Sequence, residues 1–275
     1  MVVFPNAKIN LGLNIIHRRN DGYHNILSVF CPINLCDVLE FVEAADIQDD
    51  SFTTSGLRIQ GSADHNLCIK ALHLIREVFP VPPLRIHLHK IIPMGAGLGG
   101  GSADGSFFLS ALNAHFNIGL STDTLKELAL KLGSDCPFFI ENKPVAVSGR
   151  GEVMKNVNLN LKGTFVVMIL SDVHIATAKA YQNIILNTPE ITPQKVVQEM
   201  ALSEWKKYLT NDFESYAFQA FPQLRDHKDK LYKAGAEFAA MTGSGSGVFG
   251  IFNSLPRELT VLSGLKYWVG RFLLG

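Results

Sequence analysis

Five glycines fall within seven positions, Gly95, Gly97, Gly99, Gly100 and Gly101, and Ser102 and Ala103 follow directly. Glycine permits backbone dihedrals that a side chain forbids and lets main chain close on a ligand. A helix opening at Ser102 would turn its unpaired amides toward an anion. Such a run, from Pro93 to Asp104, has the chemistry of a phosphate cradle. A flexible turn shares this composition, but a linker rarely sits between an apolar strand pattern and an apolar-faced helix pattern. Three known nucleotide loops fit poorly. Gly95-Ala96-Gly97-Leu98-Gly99-Gly100 satisfies the dinucleotide fingerprint by letter, yet the expected early βαβ unit is missing. A P-loop closes on Gly-Lys-Ser/Thr, whereas this one closes on Gly101-Ser102-Ala103. Protein-kinase order needs a downstream HRD and DFG, and neither occurs.

The elements that must position this loop can be read from periodicity. Leu84, Ile86 and Leu88 alternate with Arg85, His87 and His89, a strand leading into Pro93. After the loop, Phe108, Leu112 and Phe116 form a helical stripe from Ser102, and Leu125, Leu128 and Leu132 mark a second helix ended by Gly133. Upstream, Ile9, Leu11, Leu13 and Ile15 alternate with Lys8, Asn10, Gly12 and Asn14, predicting a strand with one buried face and Lys8 and Asn10 together on the other. Asn20-Asp21-Gly22 is turn chemistry before a second strand, 23–30. A helix is expected over 64–79, stopping before Pro80. A hairpin is expected around Gly149-Arg150-Gly151, a strand over 165–170, a helix over 213–231 broken near Pro222, and a glycine-rich segment over 241–252.

Composition bounds the function. The 275 residues suit two modest domains, placed at 1–155 and 156–275. With 47% hydrophobic and 18% charged residues the chain is globular, and 25 basic against 25 acidic residues leave no excess for a nucleic-acid backbone. The longest apolar stretch, 165–170, is far too short to span a membrane, and the start resembles no export signal, so a cytoplasmic location is expected. Cys31, Cys36, Cys68 and Cys136 have neither paired nor zinc-like spacing, consistent with free thiols. His87 and His89 could share a metal, but an exposed polar face explains them without acidic or cysteine partners.

The string PMGAGLGGGSADG resembles the phosphate loop of the superfamily of galactokinase, homoserine kinase, mevalonate kinase and phosphomevalonate kinase. PNAKINLGLNI, Asp21-Gly22-Tyr23-His24, the run from Leu132 to Phe138 and AMTGSGSGVFGIF resemble further motifs in the same order, and the first of these match the branch acting on a cytidylated polyol. Asn6, Gly105 and Ser134 depart from the usual pattern without removing a reacting group. The resemblance implies an α+β, two-domain fold of that superfamily with the active-site cleft between the domains. It implies transfer of the γ-phosphoryl of ATP to the tertiary 2-hydroxyl of the methylerythritol portion of a cytidine diphosphate-linked small molecule, a step of non-mevalonate isoprenoid synthesis.

Residue roles follow by the same resemblance. Asp135 would accept the hydroxyl proton, although a turn cap after Gly133 is its bland alternative. Lys8 would stabilise the developing alkoxide, against a solvated strand lysine. ATP would be held by Pro93, Met94, Gly95, Ala96, Gly97, Leu98, Gly99, Gly100, Gly101, Ser102 and Ala103, with Asn66 lining the adenine pocket or simply capping a helix. Tyr23, His24 and Tyr181 would read the cytidine, with a core tyrosine as the alternative for Tyr181, and Asn10 would orient the acceptor. Mg2+ is expected, its protein ligand open between Ser102 and Asp104, where Asp104 could equally be a first-turn charge.

Overall fold

The computed structural model describes residues 1–59, 61–256 and 259–274. It opens with strands β1 (Val2–Val3), β2 (Asn6–Arg18), β3 (His24–Cys36), β4 (Val38–Glu43) and β5 (Ser51–Gly56). Helix α1 (Leu67–Arg76), strand β6 (Leu84–Lys90) and helices α2 (Gly100–His115), α3 (Thr122–Leu132) and α4 (Phe138–Glu141) follow. Then come β7 (Val145–Ser148), β8 (Val153–Asn156), β9 (Phe165–Ile169), α5 (Thr177–Gln182), α6 (Pro193–Glu199), α7 (Trp205–Tyr208), α8 (Phe213–Ala220) and α9 (Pro222–Lys233). The chain closes with β10 (Phe238–Met241), β11 (Val248–Phe252) and β12 (Tyr267–Gly270). The mixture is α+β, as expected.

Contacts divide the chain into two compact units. One comprises Met1–Ala7, Leu35–Met94 and Gly99–Asn142; the other comprises Lys8–Asn34, Gly95–Leu98 and Lys143–Gly275. This is a division by contact, whereas the halves read at residues 155 and 156 follow chain order.

In the first unit the sheet order is β1-β4-β6-β5. β4 runs antiparallel to β6, with Val38 opposite His89, and β5 runs parallel to β6, with Ser51 opposite Arg85. A parallel pair needs a crossover, and α1 supplies it. Leu39, Phe41, Leu84, Ile86 and Leu88 of the sheet bury against Leu72 and Ile75 of α1, Phe108 and Leu112 of α2, and Leu125 of α3. Each such side chain contributes about 1.5–3 kcal/mol on burial. The helix expected over 64–79 is shorter: Ala63–His65 is a separate 3-10 turn, and Asn66, extended at φ −68° and ψ 135°, interrupts it and caps α1. Helix α2 starts at Gly100 rather than Ser102, because Gly99 takes the left-handed conformation at φ 69° and frees the next residue to turn. Helix α3 is capped by Ser121 and stops at Gly133.

In the second unit two sheets are ordered β2-β3-β7-β8 and β10-β11-β9-β12. The expected half-buried strand at 9–15 is corrected here: residues 6–15 of β2 are buried on both faces. Tyr23 precedes β3 rather than opening it. The expected hairpin is present as β7 and β8, with Val145 opposite Asn156. The helix expected over 213–231 breaks into α8 and α9 at Phe221, where Pro222, lacking an N–H, starts the second piece.

Candidate functional site

The glycine loop is built from backbone conformations that only glycine adopts freely. Gly95, Gly97 and Gly99 have φ of 71°, 74° and 69°. At Gly97 a Cβ would lie 2.0 Å from the carbonyl oxygen of Thr242, so strand-like close approach as well as φ requires glycine. Two backbone bonds seat this stretch: Lys8 N–H donates to Leu98 O at 2.9 Å, and Gly247 N–H donates to Ala96 O at 3.1 Å. Ala96 and Leu98 are buried, while Met94 and Gly95 are exposed. The first turn of α2, with Gly101 and Ser102 half-buried, presents the unpaired amides of a helix start.

Lys8 and Asn10 share a face, as the alternation predicts, but that face is buried: they are 4% and 2% exposed. Lys8 is therefore no solvated strand lysine. Its ammonium donates to Asn10 Oδ1 at 2.8 Å and stands 4.3 Å from the centre of the Phe30 ring. Asn10 Oδ1 also accepts from Gly243 N–H at 3.0 Å, and Asn10 Nδ2 donates to Ser28 Oγ at 3.0 Å. Thr242 Oγ1 accepts from Asn10 N–H at 3.1 Å and lies 3.1 Å from Gly97 O. One polar network thus ties Lys8 to the loop glycine Gly97 and to the glycine-rich segment 241–252.

Asp135 lies on the half-buried turn between α3 and α4. Ser106 Oγ, on α2, donates to Cys136 O at 2.8 Å, and the Cys136 thiol is within hydrogen-bonding reach of the Ser102 and Ser106 hydroxyls. Burial pushes that thiol up to about 11. The residue after Asp135 is therefore held by the same helix whose first turn follows the glycine loop.

His24 and Tyr181 stack at 4.9 Å between ring centres with 24° between planes, and Phe213 meets Tyr181 edge-on at 4.9 Å. Burial, and then the charge of Arg18, hold His24 below the usual imidazole range. Tyr23 is 55% exposed, and the Arg150 guanidinium lies 4.8 Å from its ring centre. Asn66 accepts from Cys68 N–H at 2.9 Å, which is the helix-cap geometry. His87 and His89 are part of a cross-strand polar ladder with Thr53 and Ser55, at 2.8–2.9 Å. Among the described residues no group of three His, Cys, Asp or Glu side chains could hold a metal ion.

Asp104 is only 3% exposed, and its Oδ2 accepts from Lys90 at 2.6 Å. Sequence reasoning did not single out Lys90, Asp37, Ser28, Thr242 or Arg150. For Lys90 a signal was available, since the alternation that buries Leu84, Ile86 and Leu88 also turns residue 90 inward. The four cysteines are free, and no described helix is long and apolar enough to cross a membrane.

Residues 66–143 match the family described as GHMP kinases N terminal domain, and residues 194–268 match GHMP kinases C terminal. A 4-diphosphocytidyl-2-C-methyl-D-erythritol kinase of Azobacteroides pseudotrichonymphae is 45% identical over 94% of this chain and 96% of its own. One of the same name from Parabacteroides distasonis is 42% identical over 98% and 99% of the two chains. A solved 4-(cytidine 5'-diphospho)-2C-methyl-D-erythritol kinase superposes with a TM-score of 0.85 at 29% identity, covering 100% of both chains. A homoserine kinase from Cytophaga hutchinsonii, at TM-score 0.75 and 16% identity over 99% of this chain and 94% of its own, shares the fold.

Proposed function

The chain belongs to the GHMP kinase family, and on that premise we propose how its residues divide the work of phosphoryl transfer. The enzyme uses ATP to phosphorylate the 2-hydroxyl of 4-diphosphocytidyl-2-C-methyl-D-erythritol, a step of isoprenoid precursor biosynthesis. The observation that carries this is the 42% and 45% identity, over 98% and 94% of the chain, with relatives of that name.

Phosphoryl transfer asks for alignment and charge neutralisation more than for covalent chemistry. The residues from Pro93 to Ala103 are assigned to the ATP phosphates, because glycine conformations and a helix start let main-chain amides approach oxygen anions. Asn66 is assigned to the edge of the adenine pocket, its side-chain oxygen also capping α1. Asp135 takes the proton of the acceptor hydroxyl. Lys8 stabilises the alkoxide that results, and Asn10, by holding the Lys8 ammonium, fixes where that charge is offered.

Tyr23, His24 and Tyr181 are assigned to the cytidine. A flat base asks for a ring to stack on and an edge to pair with. Burial and then Arg18 disfavour protonation of His24, and the neutral ring offers one donor and one acceptor nitrogen to such an edge. For Mg2+ the donor chemistry fits Ser102: its hydroxyl is a hard oxygen at the half-buried start of α2, while Asp104 is buried and engaged by Lys90. Bound there with the phosphates, the ion would offset their negative charge.

The test is an ATP-consumption assay against an acceptor panel. The cytidylated substrate should be used, and methylerythritol phosphate, mevalonate, homoserine and galactose should not. Removing the ring in Tyr23→Ala should raise the Michaelis constant for the cytidylated acceptor by about 5–150-fold, a stacked base being worth roughly 1–3 kcal/mol, with turnover much less affected. Preference for an acceptor without cytidine, or an unchanged constant, would sink the cytidine assignment.

A further inference from the structure

We propose that Asp37, Lys90 and Asp104 are positioning residues for ATP, a buried clasp that holds the two ends of the phosphate loop at a fixed spacing. The proposal rests on the reading of that loop as the ATP site. Asp37 Oδ1 accepts from Ile91 N–H at 2.5 Å and Ile92 N–H at 2.8 Å, fixing the chain as it enters the loop. Asp37 Oδ2 accepts from the Lys90 ammonium at 2.5 Å, and the same ammonium donates to Asp104 Oδ2 at 2.6 Å, in the helix by which the chain leaves. The entry and exit are also in direct contact. A Cβ on Gly100 would lie 2.8 Å from Ile92 Cγ2 and 3.1 Å from Lys90 Nζ, so the first residue of α2 is seated on the clasp itself.

Stability alone is a poor account of this cluster. The three side chains are 0%, 0% and 5% exposed, and buried ion pairs are commonly replaceable by apolar residues at no loss of stability. Here two carboxylates surround one ammonium, and Asp104 Oδ1 is buried with no hydrogen-bond partner. A clasp that costs folding free energy while joining both ends of a ligand loop has its use in geometry. Displacing catalytic partners by about 1 Å can cost on the order of 10²-fold in rate.

Asp104→Leu keeps the branched side-chain skeleton, with bulkier methyls in place of the oxygens, and leaves Lys90 paired with Asp37, a balanced pair. The clasp predicts a Michaelis constant for ATP raised about tenfold, with the acceptor constant and the thermal midpoint near wild type. Asp104→Asn, which keeps an oxygen for Lys90, should restore the ATP constant to within about threefold. Asp104→Ala is the second variant should leucine not be accommodated. An ATP constant unchanged in folded Leu and Ala variants overturns the clasp, as does an equal rise for both substrates. Failure of both to fold overturns it too, because the cluster would then serve the fold. Gly97→Val run alongside separates the two readings: unchanged ATP affinity in that folded variant refutes the loop assignment, whereas weakened affinity there with an indifferent Asp104 variant refutes only the clasp.

Discussion

Asp135 and Lys8 show how differently single residues can be read. Lys8 could be placed beside Asn10 from alternation alone, but its burial could not, because alternation was taken to mean one dry face, whereas both faces of β2 are covered. Asp135 has no periodic signature: it sits in a turn, and only resemblance picked it out. The structure adds that Cys136 beside it is fixed by Ser106 at 2.8 Å. The turn thus has an anchor besides Asp135, and Asp135→Asn should leave it in place. Turnover is expected to fall by roughly 10²–10⁴-fold, with ATP affinity largely retained, since only the proton acceptor is lost. Comparing kcat with an independent nucleotide-binding measurement checks this, and near-normal turnover would remove Asp135 from the role of base.

At the scale of elements the loop is the part most open to perturbation. Gly97→Val would add a Cβ 2.0 Å from Thr242 O at a φ of 74°, so the loop must move or strain. Strain of about 1–3 kcal/mol is expected, together with weaker ATP binding. Titration of a folded Gly97→Val variant with a non-hydrolysable ATP analogue tests it; unchanged affinity would count against a phosphate role for this glycine. Period-two and period-3.6 patterns located β2, β6, α2 and α3, because each buries apolar residues at a regular spacing, and Pro222 marked the α8–α9 break. They did not reveal β5, whose residues Ser51–Gly56 are almost all exposed and polar, and which is a strand because it pairs with β6. The alternation of β6 does turn Lys90 inward, but the pattern names no partner for its charge, because Asp37 and Asp104 come from other segments.

Those distant partners are a property of the whole molecule. Lys8 bonds to Leu98 and Asn10 to Thr242, so the compact units are assembled from separated segments of the chain. Charge balance shows the same contrast of scale. The chain has 25 basic and 25 acidic residues, yet the cluster of Asp37, Lys90 and Asp104 holds two acids and one base out of water. Burial lowers the Lys90 pKa, but Asp104 and Asp37 outweigh it and hold the ammonium above its usual range. Asp104 is pushed up to about 7, mainly by burial, with Lys90 opposing and Asp37 adding to the rise. An unfolded aspartate releases its proton near pH ~3.9. Between about pH 4 and 7 the native state therefore keeps a proton that the unfolded chain has lost, and stability should fall as pH rises through that window, levelling above it. Asn at position 104 cannot ionise and escapes this loss. Urea unfolding without nucleotide or metal should therefore show Asp104→Asn gaining on wild type from pH 5 to pH 8. A difference between the two proteins that stays constant with pH would mean that Asp104 is already ionised in the native state at pH 5.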